Sequence, residues 1–240
     1  MWIGSPRKPA FTIHTLLGYA AMQQFLFTLE GHVAGKIITV AQQKGGAGKT
    51  TIAANLAVAL TRRGKKVALL DTDPQGSLGR WFMTRRESGD PSMGFSTASA
   101  WGVSYECDKL REEADFVLVD TPPKIDSDLK PAIRESDLVI VPVSASQVDV
   151  WATEGVLDMA SREGADVLVV LNRAKAGTRV ADDVDKSLKK LGVKRAKTTL
   201  GHRVAFPETM GVGKGVQERG KGLWAEEIDA LTTEVVKRLK

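Results

Sequence analysis

Cysteine and histidine are scarce in this chain of 240 residues, which holds one cysteine, Cys107, and three histidines. A single cysteine excludes an intrachain disulfide framework, a zinc site made only of cysteines and an iron–sulfur cluster held by several thiolates of one chain. The histidines His14, His32 and His202 are scattered, which argues against a histidine metal site. Functions that depend on these ligands are therefore excluded or disfavoured.

Extremes of composition are also missing. The hydrophobic fraction of 42% and the charged fraction of 26% are ordinary for a globular protein, which excludes disordered, collagen-like and coiled-coil classes. The excess of 34 Lys and Arg over 29 Asp and Glu gives a net charge of +5, which alone is weak evidence for a polyanionic partner. The length is sufficient to bury a full core, in one large α/β domain or two small ones.

The first 35 residues differ from the rest of the chain. Arg7 and Lys8 precede a stretch from Ala10 to Leu29 that carries no formal charge. Its length suits a signal peptide or a spanning helix, but its Thr, His and Gln side chains are costly in hydrocarbon. We expect residues 1–35 to be an atypical extension that the native protein lacks or does not need, and residues 36–240 to form the domain. An amphipathic segment that binds a membrane or a partner stays an alternative.

Apolar segments of strand length recur from Lys36 onward: Ile37–Ala41, Val67–Leu70, Phe116–Val119, Leu138–Val143 and Val167–Leu171. Segments of helical length, such as Thr50–Arg63 and Val148–Glu163, separate most of them. Buried strands that alternate with helices predict an α/β fold with a mostly parallel, twisted sheet and helices on both faces. Ser88–Ala100 is the most loop-like segment, but it is too short for a domain linker. The pattern therefore predicts one domain.

A glycine-rich segment follows the first predicted strand and reads Gln43-Lys44-Gly45-Gly46-Ala47-Gly48-Lys49-Thr50-Thr51. Such a turn between a strand and a helix presents backbone N–H groups to one anion, and its glycines allow the backbone to close around a phosphate. We expect Lys49 to reach the β- and γ-phosphates of a nucleotide and the Thr50 hydroxyl to ligate Mg²⁺. Gln43 stands where the usual motif has glycine, and a second lysine, Lys44, precedes the glycine pair.

Aspartates follow two other predicted strands. Asp71 and Asp73 come after Val67–Leu70, and Asp120 comes after Phe116–Val119. Ligands of open parallel sheets bind beyond the carboxyl ends of the strands, so these carboxylates are expected to complete a phosphate and Mg²⁺ site. Each aspartate taken alone is also compatible with a helix N-cap.

Together these motifs resemble the ParA/MinD group of deviant Walker A ATPases, and within it the short ParA-type partition ATPases. The resemblance extends from about Lys36 to Lys240 and includes Leu171-Asn172-Arg173 and a looser segment, Arg203–Val216. It implies a single P-loop NTPase domain that binds ATP and Mg²⁺. It also implies hydrolysis of ATP to ADP and phosphate that is slow unless a partner protein stimulates it.

The resemblance also implies roles for single residues around the phosphates. Lys44 would cross a homodimer interface to the ATP of the partner subunit. Asp73 would position the attacking water, and Asp120 would be the acidic residue of the hydrolytic switch. The residues assigned to phosphate binding are Lys44, Gly45, Gly46, Ala47, Gly48, Lys49, Thr50 and Thr51, and those assigned to Mg²⁺ are Thr50, Asp71 and Asp120.

Two further residues are assigned to the nucleotide by the resemblance. Asn172 would hydrogen-bond the adenine. Pro207, in the looser segment, stands just before Glu208-Thr209, where the family usually has a glutamate–alanine pair. This departure weakens the transfer of roles to the late segment.

Basic residues are concentrated late in the chain: Lys186, Lys189, Lys190, Lys194, Arg195, Lys197 and Arg203. Such a cluster can neutralise DNA phosphates without reading base sequence, but lysine-rich helix faces in contact only with solvent are also common. With the resemblance added, we expect non-specific DNA binding through Lys194, Arg195, Lys197 and Arg203.

The resulting prediction is a cytoplasmic, nucleoid-associated ATPase that forms an ATP-dependent homodimer and segregates or positions a plasmid, chromosome or protein cluster. A ParB-like protein or another cargo adaptor would stimulate hydrolysis. One alternative is a MinD-like ATPase that cycles on a membrane, with the stripe from Leu223 to Leu239 as its membrane tail; a helix closing on the sheet also explains this stripe. A second alternative is a metabolic P-loop ligase of the dethiobiotin-synthetase type, which leaves Lys44 without a role.

Overall fold

The computed structural model describes residues 34–90, 92–123, 129–175 and 178–240. The interpretation of residues 1–35 as an extension therefore falls, except for Ala34 and Gly35, outside the described residues and stays a prediction.

The described strands are β1 (Lys36–Val40), β2 (Val67–Asp71), β3 (Met93–Thr97), β4 (Phe116–Asp120), β5 (Leu138–Ser144), β6 (Val167–Ala174) and β7 (Arg195–Gly201). The described helices are α1 (Lys49–Arg62), α2 (Ser77–Glu87), α3 (Gly102–Glu113), α4 (Leu129–Arg134), α5 (Gln147–Arg162), α6 (Arg179–Lys190), α7 (Ala205–Met210) and α8 (Leu223–Arg238). A short 3-10 helix, Val216–Arg219, precedes α8.

The strands form one seven-stranded sheet in the order β3-β2-β4-β1-β5-β6-β7, and every described pairing is parallel. The carboxyl ends of the strands therefore meet at one edge, where Asp71 of β2 is in register with Asp120 of β4. The strand β4 has β2 on one side and β1, which leads into the phosphate loop, on the other. The sequence prediction of a parallel α/β sheet is confirmed.

Helices cover both faces of the sheet, and this explains why the central strands are apolar at nearly every position. Ile38 packs into a core cluster with α1, α2 and α8, whereas its neighbour Ile37 packs into a second cluster with α3. Both side chains are fully buried. Successive residues of a strand point to opposite faces, so a strand that is covered on both sides has no polar face.

The two edge strands were not predicted from the sequence. The strand β3 lies inside Ser88–Ala100, so the interpretation of residues 93–97 as loop is wrong. Only one strand neighbours β3, and its side chains are partly exposed, so it lacks the continuous apolar sequence of a central strand. Phe95 anchors it through a ring stack on Phe82, with ring centroids 4.6 Å apart.

The strand β7 forms the opposite edge and occupies part of the predicted basic cluster. Helix α8 covers this edge with two carboxylates. Glu234 accepts hydrogen bonds from the backbone N–H groups of Lys197 (2.8 Å) and Thr198 (2.7 Å), and Glu227 accepts one from Gly201 (3.0 Å). Carboxylate acceptors on an edge strand block its pairing with another chain.

Helix α8 contains the apolar stripe that the sequence analysis interpreted either as a helix that packs on the sheet or as a membrane tail. Its residues Ile228, Leu231 and Val235 are fully buried in the main core cluster, so its apolar stripe is used for packing on the domain. In the part of the chain that the structure describes, no helix combines the length and the apolar character needed to cross a membrane.

Candidate nucleotide-binding site

The phosphate loop connects β1 to α1 through two glycines with left-handed backbone conformations. The φ angle of Gly46 is 76° and that of Gly48 is 95°. A Cβ atom on Gly48 would also lie 2.4 Å from the side-chain nitrogen of Asn172. Glycine is therefore required at position 48 both for the backbone conformation and for space.

The first turn of α1 offers backbone donors to an anion. The first hydrogen bond of the helix runs from Ile52 N to Gly48 O at 2.9 Å, so the N–H groups of Lys49, Thr50 and Thr51 precede it and are available to a ligand. The side chain of Lys49 is largely buried, and burial lowers its pKa while Asp120 and Asp73 oppose that shift. A lysine held beside two carboxylates at a helix start matches a phosphate site.

Thr50 and Asp120 meet directly at the carboxyl edge of the sheet. The Thr50 hydroxyl donates a 2.5 Å hydrogen bond to Oδ2 of Asp120. The other carboxylate oxygen, Oδ1, is buried and has no hydrogen-bond partner among the described residues. Burial raises the pKa of Asp120 to about 7, and the Thr50 hydrogen bond and Lys49 oppose the shift. An orphan buried carboxylate oxygen next to a threonine hydroxyl fits the donor set that Mg²⁺ prefers.

The aspartates that follow β2 have different surroundings. Asp71 accepts hydrogen bonds from the backbone N–H groups of Asp73 (3.0 Å) and Gly79 (2.9 Å), and burial raises its pKa. These bonds tie the loop of residues 72–76 to the first turn of α2. Asp73 lines the cavity described next, and it accepts a bond from Gln75 N at 2.9 Å. The geometry therefore gives Asp71 a positioning role, and its role as a Mg²⁺ ligand stays a prediction.

A cavity of about 580 Å³ opens above the phosphate loop, a size suited to a small-molecule ligand. Part of its wall is formed by the loop glycines, Lys49, Thr50, Thr51 and Asp73, all from the predicted site. The sequence analysis gave no site role to other residues of the wall: Ser77, Arg80, Trp81 and Thr84 of α2, and Arg173, Met210 and Gly211 of the two later segments that carry the resemblance. The α2 residues recur at helical spacing directly after the Asp71-Thr72-Asp73 motif, and this pattern could have revealed them.

Lys44 does not line this cavity in the single chain. Its ammonium forms an ion pair with Asp149 in the first turn of α5. Asp149 is almost fully buried, whereas Lys44 is half-exposed. The structure therefore places the second lysine of the loop against its own subunit, and its contact across a dimer stays a prediction.

Two residues assigned to the nucleotide have other surroundings. The Asn172 amide donates to Ala47 O at 2.8 Å and accepts from Arg173 N at 2.9 Å, so it connects the phosphate loop to β6. Pro207 is exposed on α7 and is not part of the cavity wall, although Met210 at the end of the same helix is. Neither adenine binding by Asn172 nor nucleotide binding by Pro207 is seen in the geometry, and both stay predictions.

The residues predicted to bind DNA lie along the β7 edge, and three of them are engaged in ion pairs. Lys194 lies 3.7 Å from Asp166, Arg195 lies 3.0 Å from Asp185, and Arg203 pairs with Glu227. Lys197 is exposed. Upstream, Lys186 and Lys189 pair with acidic residues of α6. DNA binding by this cluster stays a prediction.

The sequence matches the CobQ/CobB/MinD/ParA nucleotide binding domain over residues 38–214. A curated relative, Maintenance of carboxysome distribution protein A of Halothiobacillus neapolitanus, is 29% identical over 208 residues, which are 83% of this chain and 95% of the relative. The chromosome-partitioning ATPase Soj of Thermus thermophilus is 35% identical over 167 residues, which are 58% of this chain and 63% of Soj. The fold is shared with a variant of McdA of Cyanothece in complex with ATP, with a TM-score of 0.71, 16% identity and coverage of 86% of this chain and 96% of that one.

Proposed function

Since the chain belongs to the CobQ/CobB/MinD/ParA nucleotide-binding domain family, we propose that it is an ATPase that positions or segregates a cellular cargo, by means of an ATP-dependent homodimer that binds DNA without sequence preference. The observation that carries the proposal is the joint placement of Lys49, Thr50 and Asp73 in the wall of one cavity at the start of α1, with the buried Asp120 bonded to Thr50. The relatives named for carboxysome distribution and chromosome partitioning support a cargo-positioning role.

Hydrolysis would be an in-line transfer of the γ-phosphoryl group to water. Mg²⁺ would supply charge neutralisation for the phosphates, and Thr50 and Asp120 are the residues that would hold it. The N–H groups of the phosphate loop and Lys49 bind and orient the phosphates. Asp73, at the cavity wall, orients the attacking water.

Dimerisation would require Lys44 to leave Asp149. In the single chain the Lys44 ammonium is neutralised by a buried carboxylate of α5. A triphosphate from a second subunit offers Lys44 more negative charge than one carboxylate does. The exchange of partners therefore links dimer formation to the presence of ATP, and a cargo adaptor that favours hydrolysis would reverse it.

A MinD-like cycle on a membrane is the second candidate, because the family that matches includes MinD. The apolar stripe of α8 packs on the core, so a membrane contact would have to use another surface of the domain. The ligase alternative is less suited, because it leaves the Lys44–Asp149 pair without a function.

The test measures ATP turnover and sedimentation of the purified protein with random-sequence DNA and, separately, with anionic phospholipid vesicles. We expect Mg²⁺-dependent hydrolysis, and retention on DNA with ATP but not with ADP. Retention on vesicles and not on DNA would support the MinD-like candidate instead. No ATP turnover under any of these conditions would contradict both.

A further inference from the structure

One face of α2 carries polar side chains that line the cavity. Ser77, Arg80 and Thr84 are three and four residues apart, so they lie on the same face of the helix, and all three are part of the cavity wall. On the opposite face, Leu78 and Phe82 are buried in the main core cluster. The packing of α2 on the core therefore fixes which of its side chains face the cavity.

The first turn of α2 is held against the acidic end of β2. Oδ2 of Asp71 accepts a hydrogen bond from Gly79 N at 2.9 Å, and Arg80 N donates to Gly76 O at 3.0 Å. A Cβ atom at position 79 would lie 3.4 Å from the Phe95 ring and 3.6 Å from Oδ2 of Asp71, so the backbone next to Arg80 packs closely on the end of the strand. Contacts within the fold therefore set the position of the Arg80 backbone relative to Asp71.

The guanidinium of Arg80 is available to a ligand. Its side chain is exposed and forms neither an ion pair nor a hydrogen bond within the part of the chain that the structure describes. Arg85 on the same helix differs: it is buried and pairs with Asp90 at 2.5 Å and with Glu218 at 2.8 Å. The fold therefore uses the N–H donors of Arg85 for its own contacts, whereas the five donors of Arg80 stay free beside the cavity.

The carboxylates near the phosphate loop outnumber its ammonium. Asp120 interacts electrostatically with Asp71, with Asp73 and with Lys49. Even when Asp120 is protonated, two carboxylates remain for the one ammonium of Lys49. A nucleotide with Mg²⁺ is still an anion, so its binding is favoured by a further cation on the same cavity. Arg80 is a cation of the cavity wall that no carboxylate of the described residues neutralises.

The order of the strands indicates which end of a nucleotide Arg80 faces. The strands β2 and β4 lie on the same side of β1, so α2, which follows β2, begins on the side that carries Asp73 and Asp120. Arg173, the other arginine of the cavity wall, belongs to β6 on the opposite side of β1. In phosphoryl-transfer sites Mg²⁺ bridges the β- and γ-phosphates, and Thr50 and Asp120 are the residues that would hold it. The terminal phosphate is therefore expected on the side of Arg80.

We propose that Arg80 binds the γ-phosphate of the nucleotide in its own subunit and thereby gives the cavity a preference for nucleoside triphosphates over diphosphates. The proposal rests on the proposed ATP-binding function of the same cavity. A guanidinium can donate two parallel N–H bonds to phosphate oxygens, which adds geometric specificity to the charge. Because Gly79 is bonded to Asp71, this contact also connects the terminal phosphate to the segment that carries Asp73.

The test compares the binding of Mg–AMPPNP, a triphosphate analogue that is not hydrolysed, with that of Mg–ADP by isothermal titration calorimetry. Arg80→Ala is expected to weaken AMPPNP binding by about ten-fold or more, as for the loss of a hydrogen bond to a charged group, and to leave ADP binding unchanged. Arg80→Lys keeps the charge without the paired donors, so it is expected to recover only part of the loss. The same titrations in a Lys44→Ala background separate the effect of Arg80 from dimer formation. The matched control is Arg86→Ala, an exposed arginine of α2 outside the cavity wall, which is expected to bind both ligands normally.

An equal loss for both ligands in Arg80→Ala would assign the guanidinium to a part of the nucleotide that ADP shares, and it would overturn the proposal. Unchanged binding of both ligands would show that Arg80 is only solvated, which also overturns it. In both cases the proposed ATP-binding function stands, because the unaltered protein binds the two nucleotides. If the unaltered protein binds neither nucleotide, the proposed ATP-binding function itself fails.

Discussion

Two lysines of one loop have opposite environments. Lys49 is largely buried, lines the cavity above its own loop and interacts electrostatically with Asp120 and Asp73. Lys44 is half-exposed and is held by the buried carboxylate of Asp149. Burial and ion pairing therefore distinguish two lysines that the sequence alone does not. Lys49 lies beside a cavity that can hold a ligand. Lys44 must release Asp149 before it can contact a nucleotide.

Asp120 is expected to make the stability of the protein depend on pH, in a way that can be measured without nucleotide. Burial raises its pKa to about 7, compared with roughly 3.9 for an unperturbed aspartate. The folded protein therefore binds more protons than the unfolded chain, so its free energy of unfolding should rise as the pH falls from about 7 toward about 4, by at most about 1.4 kcal/mol per pH unit. Asp120→Asn should remove this contribution and should be more stable than the unaltered protein at alkaline pH.

The measurement is urea unfolding of both proteins across this pH range. The difference between the two curves isolates Asp120 from the other titrating groups. A difference that does not change with pH would contradict the shifted pKa. The affinity for Mg²⁺ and nucleotide should depend on pH in the opposite direction from the stability. It should fall as Asp120 becomes protonated, because a neutral carboxyl is a poor Mg²⁺ ligand.

The elements of the domain differ in how well the sequence predicts them. The strands β1, β2, β4, β5 and β6 are visible as apolar segments because helices cover them on both faces. The edge strands β3 and β7 are not visible, since each has one neighbour and mixed side chains. Two further features could not be predicted: the register of the parallel strands and the contribution of α8 to the β7 edge. Both depend on contacts between distant segments, and the periodicity of apolar residues in the sequence contains no information on such contacts.

The same division holds for the candidate site. The loop of residues 43–51 and the aspartates after β2 and β4 could be predicted, because each is contiguous in the sequence with a strand end. Arg173 and Met210 could not, because two separate elements, β6 and α7, bring them to the cavity. The bonds of Asn172 to Ala47 and Arg173 likewise appear only once β6 is placed beside the loop.

The β7 edge provides a test at the level of a single element. Glu234 of α8 accepts the backbone N–H groups of Lys197 and Thr198, so its removal leaves two edge donors without this acceptor. Glu234→Ala should lower the free energy of unfolding by about 1.5–3 kcal/mol, the range for hydrogen bonds to a charged group. Glu226→Ala, at an exposed position of the same helix, should change it by less than about 0.5 kcal/mol. Urea unfolding measures both, and equal values for the two variants would contradict this role of Glu234.

At the scale of the whole molecule, the basic cluster near β7 is the candidate DNA surface. The combined replacement of Lys194, Arg195 and Lys197 by alanine should weaken ATP-dependent DNA binding, and it should flatten the slope of log affinity against log salt by about 0.9 for each lost phosphate contact. Binding of a nucleotide should be unaffected, since none of the three lines the cavity. Fluorescence anisotropy of labelled duplex DNA at several salt concentrations measures both quantities. An unchanged slope would show that DNA binds to a different surface, and Lys214, Arg219 and Lys221 would be the next candidates.

ATP is expected to convert the single chain into a homodimer through Lys44. The most direct measurement is the molar mass of the protein by size-exclusion chromatography with light scattering, in ADP and in ATP with Mg²⁺, beside a nucleotide-binding assay. The unaltered protein should be a monomer in ADP and a dimer in ATP. Lys49→Ala should not bind ATP, Lys44→Ala should bind ATP as a monomer without hydrolysis, and Asp73→Ala should remain a dimer because it cannot hydrolyse ATP. A Lys44→Ala variant that dimerises and hydrolyses ATP normally would contradict the account.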